Sequence, residues 1–280
     1  MASAPTQPEG SDPQASTPVR RYLSPRALSA EVTLVLALSL GAAAVSSTIS
    51  FVGALTAPGG LSEQSASLVN AQATQERPWL DLARQIYLLA FALVPMALVL
   101  YLLHRTGESG RSIGFDVRRP GRDLGFGAAV AALIGAGGLV LYVVSYQFGL
   151  SRPITPSTLN EHWWVVPVLI AQALKNAVLE EVIVVGYLLH RFGQLGGMRG
   201  WSPLRTLVTA TVVSTGLRGL YHLYQGVGMA VGNVVMGVVF CWFYYRFGRV
   251  MPLVIAHALI DIVAFVGALY LLDTLEWLPG

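Results

Sequence analysis

Apolar residues fall along this chain in seven blocks, separated by short polar segments. The blocks run over roughly 31–55, 83–103, 124–148, 163–190, 204–223, 229–247 and 250–272. Each is near the ~20 residues that an α-helix needs to cross the hydrocarbon core of a bilayer. The pattern predicts an all-α fold, a polytopic transmembrane helical bundle of about seven spans. The segment 56–78 contains Pro58, Gly59, Gly60 and several Ser and Gln, and reads as a solvated connection. A short interfacial helix there would add an eighth element. Residues 1–25 are rich in Pro, Ser, Thr, Ala and Gln and read as a disordered tail, leaving 26–280 as a single membrane domain. The tail does not resemble a signal peptide, because the first apolar block starts only near Glu31.

Composition supports the pattern. Of 280 residues, 54% are hydrophobic and 12% charged, against about 25% charged in soluble domains. Mean hydropathy is +0.59. These values exclude a soluble enzyme carrying a single anchor. The net charge of +3 and a pI near 9.1 would fit a nucleic-acid binder if the basic residues were clustered. They sit instead in short loops, where membrane topology governs their placement, so no nucleic-acid partner is expected. With a cytoplasmic N-terminus, the inner segments hold Arg20, Arg21 and Arg26; Arg105, Arg111, Arg118, Arg119 and Arg122; Arg191, Arg199 and Arg205; and Arg246 and Arg249. These are 13 of the 18 Lys and Arg residues, which favours N-in, C-out and an odd number of spans. The expected location is multi-pass in a bilayer, the plasma membrane of a bacterium. The one cysteine, Cys241, lies inside an apolar block, which excludes a disulfide framework or a CxxC zinc site.

Ionisable groups inside spans cost at least about 2.5–3.5 kcal/mol each on insertion scales, and this chain keeps a set of them in three of its spans. Glu180 and Glu181 are adjacent, so they point about 100° apart on a helix and need not share one role. Asn176 lies on the face of Glu180, one turn earlier. Arg218 and His222 are one turn apart, as are His257 and Asp261. Two imidazoles and an acid can hold a cation while a Glu takes a proton from bound water. The same groups also serve a metal-free route, with a Glu activating water and His stabilising the oxyanion. There is no GxSxG, and Cys241 has no evident partner, so a serine or cysteine nucleophile is not expected. Of the remaining residues, Trp163, Trp164, Tyr142 and Tyr146 read as an interfacial aromatic belt. Gly228 and Gly232 form a GxxxG element expected to bring the sixth and fifth spans together. Lys175 is expected either to pair with a carboxylate on another span or to snorkel.

The ordered set Glu180-Glu181, His222 and His257…Asp261 resembles the CPBP (Abi) family of intramembrane proteases, which includes the CAAX prenyl endopeptidases and bacterial proteins linked to bacteriocin processing or self-immunity. The family pattern is EExxxR, then FxxxH, then HxxxN or a close variant, and the likeness covers roughly 163–272. It implies an intramembrane endopeptidase of metallo- or glutamate type with a site open to the cytoplasm. The implied substrate is a peptide or protein at the membrane, lipidated in the CAAX case. By resemblance Glu180 is the general base and Glu181 a supporting carboxylate or ligand. His222 and His257 are ligands or oxyanion stabilisers, and Asp261 completes or orients the site. A divalent ion such as zinc would be held by Glu181, His222, His257 and Asp261. The family Arg falls at Val185 and the family Phe at Arg218. Arg218 is therefore expected to supply from the neighbouring helix the guanidinium absent at 185. The alternative functions are a non-catalytic scaffold or immunity protein of the same fold and a proton-coupled transporter. One tension remains: His222 sits near the outer end of its span while Glu180 and His257 lie deeper, so for them to meet the fifth span must be tilted, begin outside the core, or end in a buried turn, which Gly226–Gly232 permits.

Overall fold

A computed structural model describes residues 23–74, 76–159 and 162–271. The expected tail up to residue 22 and the end of the last apolar block, at residue 272, lie outside them. The described chain is a bundle of helical rods. They are α1 (Pro25–Thr56), α2 (Pro78–Arg105), α3 (Pro120–Gln147), α4 (residues 165–198), α5 (Pro203–Tyr221), α6 (Val227–Phe247) and α7 (Met251–Gly267). Four of them, α1, α2, α3 and α6, are long and apolar enough to cross a membrane, with mean hydropathies of 2.0, 2.5, 2.2 and 1.8. Leu34, Leu38, Val45, Ile49 and Val52 of α1 point outward, as lipid-facing positions do.

Local chemistry sets the helix ends. Pro25, Pro78, Pro120 and Pro203 open their helices, where the missing N–H is no loss. The Ser24 and Ser202 hydroxyls cap the first turns of α1 and α5, accepting from Ala27 N and Arg205 N at 3.2 Å each. Gly248, at φ 65°, ends α6 in the left-handed conformation.

Helix crossings use small residues. A Cβ on Gly127 of α3 would lie 2.6 Å from Ile255 of α7, and one on Gly219 of α5 would lie 2.7 Å from Val234 of α6. The GxxxG element works against a different neighbour from the one expected. Gly228 packs on Ser145 and Ser151, and Gly232 on Leu141, so it seats α6 on α3 and the loop after it. The approach of α6 to α5 is made by Gly219 and by Gly237, whose missing side chain makes room for Thr215 and Arg218.

The 56–78 connection holds a 3₁₀ turn, Leu61–Glu63, and a strand, β1 (Ala66–Val69), in place of an interfacial α-helix. The strand pairs in parallel with β2 (Ile154–Ser157), a two-stranded feature outside the all-α expectation. Trp164 is 3% exposed and packs in a small core with Val168, Leu169 and Phe265, so it leaves the expected belt, whereas Trp163 is 76% exposed.

The fourth block runs further than its hydropathy indicates. Val165–Glu180, a π-helical turn Glu181–Tyr187 and Leu188–Met198 form one continuous rod, α4. Arg191, expected in a loop, is 1% exposed on this rod. Its charge is met by Glu31 of α1 at 3.1 Å and by Glu108 at 2.8 Å. Tyr187 also donates to Glu31, at 2.8 Å. At the same end, Arg249 joins the α6–α7 turn to Asp123 and Asp116, at 2.6 and 3.2 Å.

Candidate active site

The length of α4 resolves the depth of His222. Glu181 precedes the last residue of α4, Met198, by 17 residues, and His222 follows the first residue of α5, Pro203, by 19. At 1.5 Å per residue these are rises of about 26 and 28 Å in antiparallel neighbours, so the two residues reach similar levels. Beyond His222 the chain makes a 3₁₀ turn, Leu223–Gln225, and reverses at Gly226, whose φ of 108° excludes most side chains. That turn is tied to the body of the protein. Arg152 donates to Tyr224 O at 2.9 Å and to Gln64 O at 2.6 Å, and Tyr224 N donates to Ser47 Oγ at 2.7 Å. Of the three expected routes, the buried turn is therefore present, and its backbone groups are satisfied from neighbouring elements.

Three rods bring their polar residues to one place. Glu180 and Glu181 stand where α4 widens into its π turn, a distortion found frequently at functional sites. α5 presents Arg218 and Tyr221 on one face, and α7 presents His257 and Asp261. Arg218 is fully buried, and its Nη2 donates to Glu181 Oε1 at 2.7 Å while its Nη1 lies 3.5 Å from Glu180 Oε2. His257 Nδ1 also meets Glu181 Oε1, at 2.7 Å. Because the carboxylate can only accept, the imidazole donates through Nδ1, which leaves Nε2 facing Asp261 Oδ2, 3.6 Å away. Asn176 Nδ2 donates to the same Asp261 oxygen at 3.4 Å. Tyr221 donates its hydroxyl to Glu180 Oε2 at 2.7 Å.

The two adjacent carboxylates are thus in different surroundings. Glu181 is 0% exposed, with Oε1 engaged twice and Oε2 buried without a partner. Glu180 is 7% exposed, with Oε2 held by Tyr221. His222 stands beside Tyr221, ring centroids 4.7 Å apart, and lies within electrostatic range of Arg218 and His257. It makes no direct bond to the carboxylates, and its Nδ1 is buried without a partner. Among the described residues Lys175 makes no ion pair, but it interacts electrostatically with Glu180 and Asp261.

Of the expected metal ligands, Glu181 and His257, with Glu180, offer ligand atoms that all lie within 4.8 Å of one another. His222 and Asp261 fall outside that group. Tyr221 was not among the residues the sequence singled out. Its signal was available, in that a tyrosine three residues after Arg218 shares its helix face and a buried hydroxyl requires a partner.

Residues 162–263 match the family described as type II CAAX prenyl endopeptidase Rce1-like. This agrees with the resemblance drawn from the order of the Glu, His and Asp motifs. No curated protein and no solved structure matches the chain.

Proposed function

We propose that this integral membrane protein, Rce1-like over residues 162–263, is an intramembrane endopeptidase in which Glu180 activates the attacking water. The observation that carries this reading is the division of labour between the two carboxylates. Glu181 is fully buried, with Oε1 consumed by Arg218 and His257 and Oε2 sealed from solvent, whereas Glu180 is 7% exposed and keeps one oxygen, Oε1, that no donor among the described residues occupies. Glu180 Oε1 takes a proton from water as the hydroxide oxygen bonds to the scissile carbonyl carbon. The carbonyl electron pair moves onto oxygen, and the oxyanion is met by His222 and by His257 as the imidazolium, whose Nδ1–H stays on Glu181 while Nε2–H turns to the oxyanion. Collapse breaks the C–N bond as Glu180 returns its proton to the leaving nitrogen. Glu181 holds the imidazole of His257 through Nδ1, and the Asp261 carboxylate, 3.6 Å from Nε2, favours its cationic form.

The route needs no metal. Although Glu180, Glu181 and His257 converge, Arg218 already lies between the two carboxylates. A dication there would stand within a few ångströms of a guanidinium, a repulsion of about 4 kcal/mol per unit charge at 4 Å and an effective dielectric constant near 20. His257 also spends Nδ1 on Glu181. Chelator treatment of the purified protein is accordingly expected to leave its activity unchanged. A seven-span arrangement with a cytoplasmic N-terminus accommodates this site, with α4, α5 and α7 as spans and access from the Arg-rich side. The substrate is a membrane-associated peptide. No observation favours the scaffold or transporter readings over this one.

The test is cleavage of membrane-tethered peptides by reconstituted protein. Wild type should cut, and Glu180→Gln should not while keeping its melting temperature. A fully active Glu180→Gln protein would remove the basis of the proposal.

A further inference from the structure

Apart from the candidate site, the surface carries a trough between α5 and α6, of about 520 Å³. Its walls are two stripes at helical spacing. On α5, Val208 and Val212 follow Arg205 at intervals of three and four; on α6, Val238 and Trp242 lead at intervals of four to Arg246. These four apolar residues are 47–62% exposed, and none of the described residues covers them. The two helices run antiparallel, so Arg205 and Arg246 come to the same end. Both are exposed, and their partners are aromatic faces rather than carboxylates: Arg205 lies 4.6 Å from the Trp201 ring centroid and Arg246 lies 5.2 Å from that of Phe247. Arg199 stacks on Trp201 as well, at 5.4 Å, which adds a third positive charge nearby.

A hydrocarbon-facing trough lined at one end by Arg246, with Arg205 one turn beyond its α5 wall and neither ion-paired among the described residues, is complementary to a molecule with an acyl tail and an anionic head. Basic pockets between membrane helices take anionic lipid headgroups on this principle, and the guanidinium fork matches phosphate oxygens. The dimensions agree. Arg205 to Val212 and Val238 to Arg246 rise about 10 and 12 Å, most of the depth of one leaflet in a core about 30 Å thick. We propose that this trough binds one anionic phospholipid, its acyl chain lying between α5 and α6 and its phosphate on Arg205 and Arg246. Because α5 also carries Arg218, Tyr221 and His222, the lipid would lie against the outer face of a helix that builds the candidate site.

Native mass spectrometry of the full-length, detergent-purified chain titrated with phosphatidylglycerol or phosphatidylcholine tests this. Wild type should retain one phosphatidylglycerol in preference to phosphatidylcholine. The pair Arg205→Gln/Arg246→Gln should lower phosphatidylglycerol retention about tenfold or more. The control pair Arg111→Gln/Arg118→Gln, exposed positions outside the trough, should not. Val212→Trp, which fills the trough and leaves both arginines, should weaken retention too. Equal retention by the two Arg pairs would overturn the proposal. So would equal binding of phosphatidylcholine by wild type, or displacement of the lipid by inorganic phosphate at matched concentration.

Discussion

Replacing Arg218 by alanine removes the one guanidinium that bridges Glu180 and Glu181. Both ends of its bond to Glu181 are 0% exposed, so no water can take over the lost charge. At an effective dielectric constant near 20, unit charges about 4 Å apart interact by about 4 kcal/mol. Breaking a buried pair from one side costs about 3–5 kcal/mol for the same reason, because an uncompensated charge is left behind. In a domain stable by about 10 kcal/mol, the middle of the usual range, that loss lowers the melting temperature without unfolding the protein. Activity should fall by more than stability alone accounts for. Glu181 also holds His257, and a displacement of about 1 Å in a catalytic group costs on the order of 100-fold. The compensating variant is Val185→Arg with Arg218→Phe. Position 185 lies one turn from Glu181 on α4, and a phenylalanine at 218 would face Phe240, over which the present guanidinium lies at 5.6 Å. Cleavage of a membrane-tethered peptide in proteoliposomes, read beside thermal melting in detergent, should show kcat/KM reduced about 100-fold in Arg218→Ala and largely restored in the double variant. Arg218→Ala with wild-type kcat/KM and an unchanged melting temperature would refute the bridging role.

Three further outcomes are expected. Glu181→Gln should lower the melting temperature, because Arg218 loses its main counter-ion, whereas Glu180→Gln should lower kcat with little effect on melting; the reverse pattern would exchange the assigned roles. Gly226→Ala forces a side chain onto φ 108° and to within 2.6 Å of Leu150 O, and should cost about 1–3 kcal/mol. Its melting curve and its kcat should fall together, since this turn fixes His222. Outside the spans, burial pushes the Glu108 carboxyl upward, but hydrogen bonds from His190 and Thr106 and the nearby charge of Arg191 outweigh it and hold the group at about 2, below its ordinary 4.5. A depressed carboxyl stabilises the fold fully above its unfolded value, and that contribution is lost as pH falls from about 4.5 through about 2. Melting of wild type should therefore drop more steeply over that window than melting of Glu108→Gln; parallel traces would contradict it.

The helical rods and the polar residues of α4, α5 and α7 were legible because apolar block length and the cost of intramembrane charge are properties of the local sequence. Partnerships across the chain were not. Arg191 reads as a loop arginine until Glu31 and Glu108, distant in sequence, neutralise it on an extended α4. That extension is what lifts His222 to the level of Glu181, so the depth of the site could not be read from hydropathy. The exchange of Val185 and Arg218 pointed to a guanidinium arriving from the next helix, and Arg218 does contact both glutamates. Tyr221 stayed hidden because a tyrosine beside a histidine near a span end reads as interfacial until its hydroxyl finds Glu180. Strands as short as Ala66–Val69 and Ile154–Ser157 offer too few residues for alternation to register.

Glu180 as the residue that activates water is tested most directly by following the oxygen. Reconstituted wild-type protein should cleave a membrane-tethered peptide in isotope-labelled water and place one labelled oxygen in the new carboxyl group, with no covalent peptide adduct at any stage. Glu180→Gln protein that melts like wild type should yield no labelled product. Labelled product formed at the wild-type rate by that variant would contradict the assignment.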